Sequence, residues 1–218
     1  MINISFNSSP DAIICLNSIL PKKSVFSKFP NIPIIAADGA TNQLMKKGII
    51  PNFIVGDLDS CKNKYINSIP VNNLIHIPEQ DTNDFEKNIN FAQNQNWKKI
   101  LIFGFHGGEL EHTLNNWSII KKYSTKLQLL IFESKRYCFP LGKGEYSIST
   151  KDNEIISLIP QCKAILTTIG LKWELSNEEL QLGVREGARN RAIKDKIQIH
   201  IHSGEILLFL DSRIPLFY

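Results

Sequence analysis

The chain is short of every feature that would staple it, anchor it or charge it strongly. Its four cysteines, Cys15, Cys61, Cys138 and Cys162, form no CxxC and no Cys/His pair at zinc spacing. Reduced thiols in a cytoplasmic protein are therefore expected, rather than a disulfide framework or a structural zinc. No stretch approaches the ~18 consecutive apolar residues of a membrane helix. The opening MINISFNSSPDAIICLN has neither a basic n-region nor a long apolar run, so no signal peptide is expected. Charge of one sign is missing as well: 25 Lys and Arg against 21 Asp and Glu leave a net +4. The lysines fall in scattered pairs (Lys22 and Lys23, Lys46 and Lys47, Lys98 and Lys99, Lys121 and Lys122), which leaves no nucleic-acid footprint. There is no P-loop, no GxGxxG fingerprint, no internal repeat and no low-complexity linker.

What is present is a core-forming composition, 43% hydrophobic and 21% charged over 218 residues. Up to about Phe132, short apolar runs alternate with helix-like segments. Strands are predicted at 12–16, 33–37, 53–56, 74–77, 99–104 and 127–132. Helices are predicted at 41–48, 84–95 and 112–123, where apolar residues recur every three or four positions. Such alternation predicts an α/β domain over residues 1–132, a Rossmann-like parallel sheet with flanking helices. From residue 133 to 218 the runs YCFPL, EYSIST, EIISLIP, KAILTTIG, KIQIHIH and GEILLFL are strand-like, and an all-β sandwich domain is expected. In KIQIHIH, Ile197, Ile199 and Ile201 share one face. His200 and His202 share the other, as polar residues on a wet face or, by their i,i+2 spacing, as metal ligands.

The chemistry concentrates in turns that follow predicted strands. FIVGDLDS ends in Asp57 and Asp59, which point the same way if the chain stays extended past Gly56. Two carboxylates so close repel unless a cation sits between them, and Mg²⁺ suits an all-oxygen set that also meets phosphate. The competing reading is a polar turn capped by Asp57 and Ser60. PIIAADGATN ends a strand at Asp38, and Gly39 then allows close backbone approach at a helix start. In PEQDTNDFEKNI, Asn83 and Glu86 have capping-box spacing, placing Asp84 in the first helical turn with Gln80 in the loop before it. GFHGGELEH supplies Gly104, Gly107 and Gly108 as a phosphate-side loop, with His112 either a proton shuttle or the opening of a helix. All these turns belong at one edge of the sheet, where ligands of open parallel sheets bind.

These residues resemble the thiamin pyrophosphokinase family. Its Asp-Gly-Gly-Ala-Asn element reads DGATN (38–42), and its Gly-x-x-Pro-Asp-x-Ile-x-Gly-Asp-Phe-Asp-Ser element reads GIIPNFIVGDLDS (48–60). Asp-Gln-x-x-Thr-Asp-Phe appears as EQDTNDFEK (79–87) and Gly-Gly-Arg-x-Asp-His as GGELEH (107–112). The Gly-Leu-Lys-Trp/Tyr segment lies in TTIGLKWELSNEEL (167–180), and GVREGARN (183–190) occupies the place of a Ser-Asn element. The resemblance implies a homodimer that moves a pyrophosphoryl group from ATP to the hydroxyethyl oxygen of thiamin. It implies Mg²⁺ near Asp57, Asp59, Asp84 and Asp38, and ATP near Asp38, Gly39, Asn42, Gln80, Gly107, Gly108 and His112. Thiamin is implied near Trp173, Asn190 and Gln80, with Trp173 supplied by the partner subunit. Without the resemblance, Trp173 reads as a core residue of the sandwich.

Several positions depart from the family pattern: Ala40 for a glycine, Gln43 for an arginine, Asn83 for a threonine, Glu109 for an arginine, Glu111 for an aspartate and Arg189 for a serine. Glu109 removes a positive charge from a phosphate-side loop, and Arg189 sets a cation where a cationic substrate is expected. Two other readings follow: a relative that binds thiamin or nucleotide without turnover, and a metal-dependent phosphohydrolase with Asp57 as nucleophile. The latter motif fits Ser60 poorly. Asp84 and Asp57 are the candidates for proton acceptor.

Overall fold

The computed structural model describes residues 1–4, 8–133 and 135–212. The chain divides into two compact units, one spanning Pro10–Ser134 and the other combining Met1–Ser9 with Lys135–Tyr218. The short strand β1 (Ile2–Ile4) therefore belongs with the second unit, where it pairs in parallel with a later strand, although by sequence it falls inside the segment expected to form the α/β domain.

Unit Pro10–Ser134 runs β2 (Ala12–Cys15), α1 (Lys23–Phe26), β3 (Ile34–Ala37), α2 (Asp38–Lys46), β4 (Phe53–Gly56), α3 (Asn63–Ile66), β5 (Leu74–His76), α4 (Asp84–Asn94), β6 (Lys99–Phe103), α5 (Leu110–Tyr123) and β7 (Gln128–Glu133). The strands lie in the order β7-β6-β2-β3-β4-β5, and every neighbouring pair is parallel. Their apolar runs are nearly unbroken because a parallel sheet is covered on both faces, and Ala12–Cys15 and Ile100–Phe103 are buried without exception. The strand order reverses between β2 and β6, and that reversal opens a crevice at the carboxyl edge.

The second unit holds β8 (Arg136–Leu141), β9 (Gly144–Ser149), β10 (Ile155–Ile169), β11 (Glu178–Gln181), β12 (Gly187–Arg191) and β13 (Lys196–Asp211). By sequence, EIISLIP and KAILTTIG read as two strands, and likewise KIQIHIH and GEILLFL; each pair is one long strand. Pro160 does not end β10, because the register merely shifts between Pro160 and Ala164 and the pairing with β13 resumes. Opposite that shift Gly204 takes φ +80, and a Cβ there would collide with the Lys163 carbonyl oxygen, so the bend needs glycine. The first half of β13 pairs with β9 and the second half with β8; β10 likewise carries β12 on its first half and β11 on its second. No helix among the described residues is long and apolar enough to cross a membrane.

Candidate active site

The GDLDS turn is built differently from a continued strand. β4 stops at Gly56, and Leu58 adopts φ +68, the left-handed region that costs a non-glycine residue about 1 kcal/mol. Its side chain packs against Ile54, Cys61 and Ile69, which offsets that cost. Asp57 and Asp59 converge through this turn rather than through strand alternation: the Asp59 N–H reaches the Asp57 carboxylate at 3.4 Å. Gly56 lets the turn approach α2, since a Cβ there would lie 3.2 Å from Cβ of Asp38.

Asp38 is the first residue of α2 and only 2% exposed. Its carboxylate accepts from the Gly39 N–H at 2.5 Å and the Ser60 N–H at 3.1 Å. One oxygen each of Asp38, Asp57 and Asp59 lie within 4.8 Å of one another. Among the described residues this is the one such group of acidic, His or Cys side chains, and its all-oxygen donor set suits a hard divalent cation. Burial raises the Asp38 carboxyl above its ordinary range, with the Asp57 charge adding to the rise. The Gln80 amide, donating to Asp57 at 3.1 Å, holds Asp57 below that range. Asp38 thus holds a proton more readily than Asp57, and a cation would compete with that proton.

Asp84 opens α4 behind the Asn83 N-cap, whose Oδ1 accepts from the Glu86 N–H at 2.8 Å. The reciprocal half of the expected capping box is missing, because Glu86 turns to Lys122 and Tyr123 instead. Asn88, fully buried, donates to the carbonyls of Val55 at 3.2 Å and Asp84 at 2.7 Å, bracing the end of β4 against the start of α4. A cavity of about 350 Å³ opens here, lined by Asp57, Asp59, Gln80 and Asp84 on one side and by Gly107, Gly108, Glu109 and His112 on the other. Its walls come from the turns that follow β2, β4, β5 and β6 and from the last residue of β3, the carboxyl edge of the sheet. Ser18, donating to the His106 carbonyl at 2.6 Å, and Asn116, donating to the Phe105 carbonyl at 3.0 Å, hold the glycine loop.

Burial, then the Asp38 charge, push Asp84 up to about 6, with Lys87 pulling the other way. Between the ordinary carboxyl pKa of about 4 and that value the folded protein binds more protons than the unfolded chain. Stability of the metal-free protein will therefore fall as pH rises through that window and level off above it. Asp38, also raised, adds to the same slope. Asp84→Asn will flatten the slope and raise Tm at neutral pH above wild type, as read by thermal unfolding in chelator across pH. An unchanged slope would show that Asp84 ionises freely.

Other residues singled out in the sequence are placed differently. Gly39 and Asn42 do not line the cavity. Asn42 donates to the Ser60 carbonyl at 2.7 Å and accepts from the Lys62 N–H at 3.1 Å, so its amide is committed to the acidic turn. His112 is the third residue of α5, exposed, 3.4 Å from Glu109. In the second unit Trp173 is 56% exposed, not a core residue, and Lys172 Nζ stands 4.9 Å from its ring centroid. Asn190 is buried and clasps the Trp173 main chain, accepting its N–H at 3.2 Å and donating to its carbonyl at 2.7 Å. Arg189 is exposed, in the left-handed region at φ +58. His200 and His202 lie side by side with ring centroids 3.9 Å apart and planes tilted by 45°; His202 meets Thr167 at 2.7 Å, and no third ligand joins them among the described residues.

Lys87, Asn17 and Ser18 line the cavity and Asn88 braces α4 beside it, though the sequence patterns did not single them out. For α4 a signal was there: Asp84, Lys87 and Asn88 fall at i, i+3 and i+4, so polar groups share one face of a helix whose interior neighbours Phe85, Ile89 and Phe91 are buried.

A parallel sheet whose carboxyl edge gathers four aspartates, a glycine loop and a cavity of this size is an arrangement suited to a phosphate-bearing ligand and a divalent cation. Comparison makes that reading specific. The model of the thiamin pyrophosphokinase catalytic domain matches residues 30–131, and that of the thiamin pyrophosphokinase vitamin B1 binding domain matches residues 140–206. The chain belongs to the thiamin pyrophosphokinase family. It is 30% identical to thiamine pyrophosphokinase of Bacillus subtilis (strain 168) over 181 residues, 80% of this chain and 85% of that one. It is 27% identical to thiamin pyrophosphokinase 1 of Caenorhabditis elegans over 191 residues, 80% of this chain and 76% of that one. The fold is shared with the crystal structure of the Bacillus subtilis enzyme (TM-score 0.79, 23% identity, 93% of this chain, all of that one) and with thiamin pyrophosphokinase from Candida albicans (TM-score 0.82, 19% identity, 97% and 93%).

Proposed function

We propose that this chain transfers the pyrophosphoryl group of ATP to thiamin, giving thiamin diphosphate and AMP. The enzyme is an ATP-dependent diphosphotransferase of thiamine diphosphate biosynthesis. The observation that carries this reading is the acidic cluster of Asp38, Asp57 and Asp59 at the edge of the cavity that Asp84 also lines. In the reaction the thiamin hydroxyl oxygen bonds to the β-phosphorus. The bond from that phosphorus to the oxygen shared with the α-phosphate breaks, AMP leaves, and the hydroxyl proton passes to a carboxylate. Asp84, with its raised affinity for a proton, is the better placed acceptor, and Asp57 the second. Bound Mg²⁺ neutralises phosphate charge, and Asp38, Asp57 and Asp59 would hold it. Gln80 orients Asp57; Gly107 and Gly108 offer backbone N–H groups to phosphate.

We read the first unit as a Rossmann-like domain and the second as a β-sandwich made by the two bent strands β10 and β13. The protein is proposed to act as a homodimer, with thiamin stacked on Trp173 of the partner subunit. The exposure of Trp173, and the Asn190 clasp that presents it, support that role. Lys172, already over the ring, supports the reading that this face suits a cation. Trp173→Ala will raise KM for thiamin about tenfold, the loss of one cation–π contact, and leave KM for ATP unchanged; equal shifts in both would remove Trp173 from the thiamin site. Four cysteines, none of them in a disulfide, support a cytoplasmic setting.

Incubation with thiamin, Mg²⁺ and ATP tests the whole reading: AMP and thiamin diphosphate should appear in equal amounts. Binding without AMP would define a non-catalytic relative, and a phosphoaspartate trapped on Asp57 a phosphohydrolase.

A further inference from the structure

Among the residues that line the cavity, Lys87 is the one lysine or arginine. It stands three residues after Asp84 on α4, so both side chains leave the same side of the helix. Lys87 is 2% exposed, and among the described residues its ammonium makes no hydrogen bond or ion pair. A buried ammonium is costly unless paired. Here the charges of Asp84 and Glu79 attract it at longer range, while its three N–H donors remain uncommitted. The surrounding charge is lopsided. Asp38, Asp57, Asp59, Asp84 and Glu109 all stand at or beside the cavity, so even with a divalent cation held the site would repel a polyanion. The place where an arginine was expected holds an exposed glutamate, already beside His112.

We propose that Lys87 is the fixed cation of the site, its ammonium donating to non-bridging oxygens of the diphosphate group that leaves ATP. This rests on the reading of the cavity as the polyphosphate site. Lys87 thereby supplies, from α4, the charge that the loop after β6 lacks. Its rigid setting suits that role, because α4 fixes the stem and burial strengthens a charge-assisted hydrogen bond made there. The other face of the donor, the adenosine, owes nothing to Lys87.

Binding of magnesium tripolyphosphate, followed by titration calorimetry with Mg²⁺ in excess, reads this without turnover. Lys87→Met should weaken tripolyphosphate about 30-fold, as expected for one lost charge-assisted bond. Adenosine affinity should stay within about threefold, and Lys87→Arg should recover most of the loss. In turnover, kcat should fall more than KM for thiamin rises. Should Lys87→Met fail to fold, the wild-type protein decides. Tripolyphosphate should protect Lys87, but not Lys121 or Lys126, from acetylation read by peptide mass spectrometry. Tripolyphosphate affinity unchanged in Lys87→Met, or an acetylation rate at Lys87 indifferent to tripolyphosphate, would overturn the proposal. If wild type made no AMP yet Lys87→Met lost tripolyphosphate, the assigned reaction would fail while the role of Lys87 stood.

Discussion

Asp57→Asn will cost about a thousandfold in kcat/KM and will not raise the Tm of the metal-free protein. Asp57, Asp38 and Asp59 bring oxygens within 4.8 Å of one another, and like charges at that distance repel. The hydrogen bonds from the Gln80 amide and the Asp59 N–H outweigh that repulsion at Asp57 and hold it below the ordinary carboxyl range, so its charge is favoured in the folded state. The same substitution strips a ligand from the cation and the acceptor that Gln80 orients. A lost ligand or preorganised charge costs about 10²–10³ in rate, and a weakened metal site adds about tenfold or more. Asp59→Asn should behave alike, because its partner Ser60 keeps a neutral hydrogen bond. Steady-state kinetics and thermal unfolding in chelator check both halves. Full activity in either variant would remove the acidic cluster from the chemistry.

Chelation of divalent ions will abolish turnover, by more than about 10³-fold, and restoring Mg²⁺ will recover it. The same ion will stabilise the fold, since a ligand that binds only the native state raises stability by mass action, about 2.7 kcal/mol at a hundred times its dissociation constant. That increment has a pH sign. Asp84 takes its proton at about 6 and Asp38 is raised as well, so at pH 5 the ion must displace protons from the site. The rise in Tm on adding Mg²⁺ should therefore be larger at pH 7.5 than at pH 5. It should vanish at both in Asp57→Asn. A shift independent of pH and of Asp57 would mean that the ion binds elsewhere.

Much of the α/β unit was legible because its strands are short, apolar throughout and separated by amphipathic helices. The run 53–56 coincides with β4, and the other five predicted strands meet β2, β3, β5, β6 and β7 within a residue at either end. Helix starts were legible for α4, which begins at Asp84 as predicted, and less so for α2 and α5. α2 begins at Asp38, three residues before the predicted start, because a buried carboxylate with its own N–H partners replaces the usual exposed cap. The β unit was misread where local rules end strands: Pro160 reads as a stop, yet the pairing of β10 with β13 carries the strand past it. Extension past Gly56 was the wrong route to the right neighbours, because the anchor that draws Leu58 into a left-handed turn is a cluster with Ile54, Cys61 and Ile69 that no local pattern reveals.

The sequence by itself determined the period of each element and the chemical identity of the turns, since apolar spacing and side-chain type are local properties. It thereby settled that acidic and glycine-rich turns follow successive strands of a parallel sheet. Only the tertiary structure decided which atoms meet. Asp38 approaches Asp57 because Gly56 has no Cβ, Asn190 serves the Trp173 backbone, and Lys87 is a cavity wall rather than a solvated lysine. The reason is that burial and pairing across the chain depend on what packs from elsewhere, so a lysine's charge becomes costly, and useful, only once the sheet and α4 have shut it from water.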